Sequence, residues 1–135
     1  MATLFEKLNL GDRQQIVVLD APASLEPELA RLPVLTIHHH LQSVAETNFL
    51  LAFVTRKAEV EGLAAEVAAR APGDAVVWFA YPKGTSKKLK CDFNRDTGWD
   101  ALNARGFETV RAVAIDEDWT ALRFRRREFI KARAK

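Results

Sequence analysis

Lys83, Thr85, Ser86 and Lys87 follow directly on the most apolar run of the chain, Ala75–Tyr81 (AVVWFAY), with Gly84 and Lys88 among them. Ammonium groups, hydroxyls and flexible backbone placed just beyond a strand suit an anion or a nucleotide. Asp92, Arg95, Asp96 and Trp99 stand shortly before and within the start of the next predicted helix, and Asp116, Glu117 and Trp119 follow a later strand. On a ligand-binding reading Lys83 and Lys87 supply charge, Thr85 and Ser86 donate hydrogen bonds, and Trp99 or Trp119 forms a stacking wall. On a structural reading of the same residues, Lys83 and Arg95 pair with Asp96, Asp116 or Glu117 to pin loops, and the tryptophans fill the core.

Other chemistry-bearing residues give less. The loop KGTSKK shares composition with the end of a Walker A motif but lacks its first glycine and its order. His38, His39 and His40 sit at a predicted strand end and point to alternating faces, so at most two could share a metal, with Asp20 or a water as a third ligand. Loop histidines are the plainer reading, and no metal is expected. Cys91 has Lys88 and Lys90 beside it, which favour a thiolate, yet no histidine is near in sequence and a small buried cysteine accounts for it. No Ser-His-Asp or paired-carboxylate pattern stands out, so no catalytic residue is assigned.

The elements that must position these residues are legible from apolar periodicity. Ile16–Asp20, Val34–His38, Phe49–Val54 and Ala75–Tyr81 read as strands, the last buried on both faces and ended by Pro82. Thr3 and Glu6 have capping-box spacing for a first turn or two of helix, closed at Gly11. Ser24 is placed to cap a short helix to about Arg31. From Thr55 as N-cap, Val60, Leu63, Ala64 and Val67 share one helical face before Ala71-Pro72-Gly73 stops it. A last helix is expected from about Thr97 to Arg105 with Gly106 just past its end. Glu108–Ile115 and Trp119–Arg125 then form an antiparallel hairpin. The expected architecture is a three-layer, doubly wound α/β domain: a mostly parallel sheet of about six strands with a C-terminal antiparallel hairpin. The loops after Asp20, His38, Val54, Tyr81 and Ile115 should then face one edge and gather the residues above.

A chain of 135 residues fits one domain. One cysteine excludes an internal disulfide, and with no long apolar run neither a membrane span nor a secretory leader is expected, so a cytoplasmic protein is the expectation. Of the 20 basic residues, seven lie in Arg123–Lys135 beside one acid, which leaves the body mildly acidic and 126–135 a basic tail. That tail, with Lys83, Lys87, Lys88 and Lys90, is the basis for a nucleic-acid reading, although a pI near 8.9 falls short of a dedicated binder and no binding motif is present.

The order of elements together with APGDAVVWFAYPK resembles the later half of the class I S-adenosylmethionine-dependent methyltransferase fold. Where that family places an acidic residue and then a Gly-x-Gly loop after its first strand, this chain has Asp20 followed by Ala21-Pro22-Ala23-Ser24, with no glycine. Where the family has a carboxylate at the end of its second strand, this chain has His38–His40. A closer resemblance, through Ala80-Tyr81-Pro82-Lys83, Asp92–Trp99 and Asp116–Phe124, is to a family of short bacterial proteins of no established activity and Rossmann-like outline. It implies a fold and transfers no catalytic residues. The sequence thus leads us to expect a non-catalytic binding or interaction module whose ligand is a small anion or a protein. The alternatives are an enzyme using S-adenosylmethionine or another nucleotide, and a nucleic-acid-binding protein. A homodimer is compatible with all of them.

Overall fold

The structure is a computed structural model, and it describes residues 4–8, 10–11, 13–32, 35–83 and 99–130. Among the described residues six strands form one sheet: β1 (Gln15–Leu19), β2 (Thr36–His38), β3 (Phe49–Phe53), β4 (Val76–Pro82), β5 (Phe107–Ala114) and β6 (Trp119–Arg126). Their spatial order is β2-β1-β3-β4-β6-β5. The first four are parallel, and β6 runs antiparallel between β4 and β5. The expected α/β fold class is the one observed.

Burial explains why the central runs are uninterrupted. Every residue of β3 and of β4 is buried, because side chains alternate between two faces and both faces are covered. On one face Val77, Phe79 and Tyr81 of β4 join Leu50, Ala52, Leu122 and Phe124. Helix α3 (Lys57–Arg70) covers them with Val60, Ala64 and Val67, and the short α4 (Asp100–Asn103) with Leu102. On the other face Val76, Trp78 and Ala80 join Ile16, Val18, Phe49, Leu51 and Phe53 beneath Leu4, Phe5 and Leu8 of the α1 region (Leu4–Lys7). Leu25, in a 3₁₀ turn over Ala23–Leu25 ahead of α2 (Glu26–Ala30), completes that face. Trp78 is fully enclosed, and its indole N–H donates to the Leu8 carbonyl at 2.8 Å. A buried indole needs that partner.

Several boundaries differ from expectation for local reasons. Arg56, not Thr55, is the N-cap of α3, because Glu59 reaches back to accept from the Arg56 N–H at 3.1 Å and the Thr55 N–H at 2.7 Å. Ser24 caps no helix; Pro22 precedes the turn in extended conformation and the Ser24 hydroxyl is used elsewhere. β2 spans only Thr36–His38, and β4 continues through Pro82, whose missing N–H costs nothing at the last ladder position. Gly106 follows α4 with φ of 93°, a left-handed conformation that glycine adopts without strain. Arg126, assigned to a tail, is the last residue of β6, followed by a 3₁₀ turn over Arg127–Phe129. Thr3, Val34 and Thr97 lie outside the described residues. No described helix is long and apolar enough to cross a membrane.

Candidate functional site

Parallel strands end together, so the turns after β1, β3, β4 and β5 share the carboxyl edge of the sheet. The chain leaves β1 toward β2 on one side, and β3 lies on the other. The winding therefore reverses between β1 and β3, and at such a reversal the covering layers of an open α/β sheet generally diverge to leave a crevice. Asp20 follows β1 directly at this reversal, exposed, with φ of 55°. This left-handed conformation is tolerated by aspartate better than by most residues and makes the sharp turn that glycine otherwise supplies. On the facing side Val54 is buried, its N–H donating to the Ala80 carbonyl at 2.9 Å, and Thr55 and Arg56 lead into α3.

The segment after Asp20 crosses toward the β5–β6 turn. Ser24 Oγ donates to Asp116 Oδ2 at 3.4 Å. Asp116 Oδ1 accepts from the Asp118 N–H at 2.8 Å and the Trp119 N–H at 2.9 Å. The Asp118 carbonyl in turn accepts from the Lys83 N–H at 2.8 Å. Asp116 thus shapes the turn whose Asp118 carbonyl ties down the end of β4, and its second oxygen accepts from the Ser24 hydroxyl. Glu117 is exposed beside it, and Lys83 is partly buried at the end of β4.

The structure brings Lys83, Asp116, Glu117 and Trp119 to this edge. Trp119 is 7 % exposed, its ring edge-on to Phe53 at 5.0 Å. Trp99 is 4 % exposed and packs against Phe124 at 5.1 Å, Tyr81 at 5.7 Å and Phe79 at 6.1 Å. Both indoles are embedded in the core at opposite faces of the sheet, and neither presents an open ring face as a wall. Thr85, Ser86, Lys87, Asp92, Arg95 and Asp96 lie outside the described residues, as do Lys88, Lys90 and Cys91. His38 does not face the crevice, since β2 ends level with Val17 and its Nε2 lies 3.0 Å from Gln15 Oε1. His39 and His40 are exposed. Among the described residues, no three of His, Cys, Asp and Glu converge as metal ligands.

The arginines at the end of β6 are engaged within the fold. Arg125 forms a two-pronged pair with Asp74, Nε to Oδ1 at 2.8 Å and Nη2 to Oδ2 at 2.7 Å. This pairing holds the Asp74 carboxyl below its usual range and raises Arg125, the hydrogen bond being the leading cause for each. Arg126 Nη2 donates to the carbonyls of Ala68 and Ala71 at the end of α3, with its guanidinium 4.6 Å from the Phe107 ring centroid. Arg127 Nε donates to Glu108 Oε2 at 2.6 Å. Burial, first, and then neighbouring Arg125 lower Arg123. The sequence signal for the Asp20 turn was present in the acid that ends β1; the hydrogen bond from Ser24 to Asp116, across 92 residues, had none.

No protein-family model matches the chain, and no curated protein sequence does. Solved structures do. A fibrillarin pre-rRNA processing protein of Methanococcus jannaschii superposes with a TM-score of 0.51 at 14 % identity over 82 % of this chain. The structure of LepI in complex with S-adenosylmethionine gives 0.55 at 12 % identity over 92 %. A Sulfolobus solfataricus protein described as a type 11 methyltransferase gives 0.54 at 8 % identity over 98 % of this chain and 92 % of its own. The chain spans 56 % of the fibrillarin structure and 39 % of the LepI structure. Identities this low bear on the fold alone. The fold is the Rossmann-like α/β fold shared with S-adenosylmethionine-dependent methyltransferases.

Proposed function

We propose that the chain binds S-adenosylmethionine in the crevice at the carboxyl ends of β1 and β3 and acts as a methyltransferase. The observation that carries this reading is the exposed Asp20, turned into the left-handed region at the point where the sheet reverses its winding. A glycine-free turn has to be tested against the cofactor. Asp20 itself makes the sharp bend, so the carboxylate and the bend come from one residue, and the Cβ atoms of Ala21 and Pro22 follow it with both residues partly exposed. The described edge also suits the ligand's charge: Asp20, Asp116, Glu117 and Asp118 stand there against Lys83 and Arg56, and a sulfonium is a cation.

Asp20 would accept hydrogen bonds from the ligand's hydroxyl or amino groups, and Thr55 at the facing strand end would donate or accept one more. When bound, the sulfonium supplies an electrophilic methyl carbon whose bond electrons leave with sulfur. The chain's part is to hold it in line with a nucleophile and to limit water around it. On the stretches that resemble it, we also group the chain with the short bacterial family of no established activity, and we take it to be cytoplasmic.

A second reading, a binding module without catalysis, is favoured by the hydrogen bond from Ser24 to Asp116, which ties the glycine-free turn to the β5–β6 turn. On that reading the ligand is an anion held at Lys83 and the loop after it. Titration calorimetry and thermal unfolding with S-adenosylmethionine, S-adenosylhomocysteine, ATP and phosphate, on the parent, Asp20→Ala and Lys83→Ala, separate the two. Saturation at a hundred times the dissociation constant stabilises by about 2.7 kcal/mol, a shift of roughly 5–10 °C for this size. A shift with the two adenosyl ligands that Asp20→Ala removes supports the proposal. A shift only with phosphate or ATP, lost in Lys83→Ala, supports the module, and silence with both adenosyl ligands overturns the proposal.

A further inference from the structure

The described part of β5 is an edge strand paired on one side alone, with β6. It is eight residues long, and Thr109 to Ala112 are all exposed. Val110, at 36 %, is one of only two large apolar side chains exposed among the described residues. A long open edge presents a row of backbone donors and acceptors to any incoming strand.

What selects the incoming strand is the charge pattern. The register shifts between Thr109 and Arg111, so Val110 is the extra residue of a bulge. Glu108 is paired with Arg125 and Arg111 with Arg123, and residues two apart on β6 point the same way. Glu108 and Arg111 therefore share one face, although three apart in sequence. Arg111 faces a like charge across the ladder, an arrangement that costs stability. Its guanidinium lies 5.6 Å over the Trp78 ring and donates to the Lys7 carbonyl at 2.6 Å, and no carboxylate among the described residues pairs with it.

We propose that β5 is a homodimer interface: two copies join edge to edge through antiparallel β5 strands about a two-fold axis at Thr109. An antiparallel strand paired with its own copy brings opposite each other the residues equally distant from the axis. With the bulge counted as one place, those residues are Glu108 and Arg111. Each Arg111 then meets the Glu108 of the other copy, whose Oε2 already accepts from its own Arg127 Nε, leaving Oε1 for the incoming guanidinium; the pair occurs twice by symmetry, and the two Val110 side chains meet beside the axis. A foreign strand would have to supply an acid at that one register to do the same; a second copy carries it already.

Sedimentation velocity and light scattering over a concentration series into the hundreds of micromolar test this. The expected result is a species of twice the 15.1 kDa protomer mass. Val110→Asp, on an exposed side chain, should give a monomer with unchanged circular dichroism. Glu108→Arg and Arg111→Glu should each raise the dimer dissociation constant by about tenfold or more, since each reverses two pairs. The double variant Glu108→Arg/Arg111→Glu should restore it. A parent that stays monomeric throughout, a dimer indifferent to Val110→Asp, or a double variant no tighter than the singles would each overturn the proposal.

Discussion

Replacing Asp116 by alanine removes the acceptor of two backbone N–H groups, those of Asp118 and Trp119, and the partner of the Ser24 hydroxyl. A hydrogen bond to an ionised acceptor contributes roughly 1.5–3 kcal/mol when water is kept out. Both N–H bonds are only partly buried, so about 1 kcal/mol each, or about 2 kcal/mol together, is the appropriate scale. The long 3.4 Å contact from Ser24 adds little. For a chain of 135 residues, this corresponds to a fall of about 8 °C in Tm. Asp116→Asn keeps Oδ1 as an acceptor and should lose less than half as much. Reversible urea unfolding reads both values, with an unchanged slope showing that the denatured state is unaltered. A loss below about 0.5 kcal/mol for Asp116→Ala, or an equal loss for the asparagine variant, would refute the view that this carboxylate shapes the turn. In that case a ligand-binding role would be left as its account.

Two further substitutions probe the frame. Trp99→Ala should cost about 3–5 kcal/mol, because the indole fills the space between Tyr81, Phe79 and Phe124 and its loss leaves a cavity; urea unfolding measures it, and a cost under about 1 kcal/mol would show that the indole is not part of the packed core. The Asp74–Arg125 pair should contribute at most about 1 kcal/mol, with side chains 37 % and 32 % exposed and open to screening. Because the folded Asp74 titrates below its ordinary 3.8, that contribution is complete above pH 3.8 and disappears as pH falls through the lowered folded value. The stability difference between parent and Asp74→Asn should close over that acid range, and a difference that persists unchanged below it would exclude the pair as its source.

The carboxyl edge was legible as a place before it was legible as a geometry. Uninterrupted apolar runs at Phe49–Phe53 and Val76–Pro82 require cover on both faces, and such cover in a chain that alternates strand and helix requires parallel strands ending together. Hence the turns after β1, β3 and β4 could be put at one edge from sequence. What each residue does there could not be read. Loop position and side-chain chemistry, all that the sequence offers, group Asp116 and Trp119 with the site residues. The structure gives Asp116 three hydrogen bonds to its own fold and buries Trp119 against Phe53.

Local physics, then, determined from sequence alone the buried strands β1, β3 and β4, the amphipathic α3, the left-handed glycine after α4 and the β5–β6 hairpin. Each follows from periodicity or a turn residue within a dozen positions. The tertiary structure alone decided the order that places β6 between β4 and β5, the left-handed bend at Asp20, the link from Ser24 to Asp116 and the unpaired edge of β5. Those depend on contacts between residues up to a hundred positions apart, whose energies are shared among many side chains and leave no mark in any one stretch of the chain.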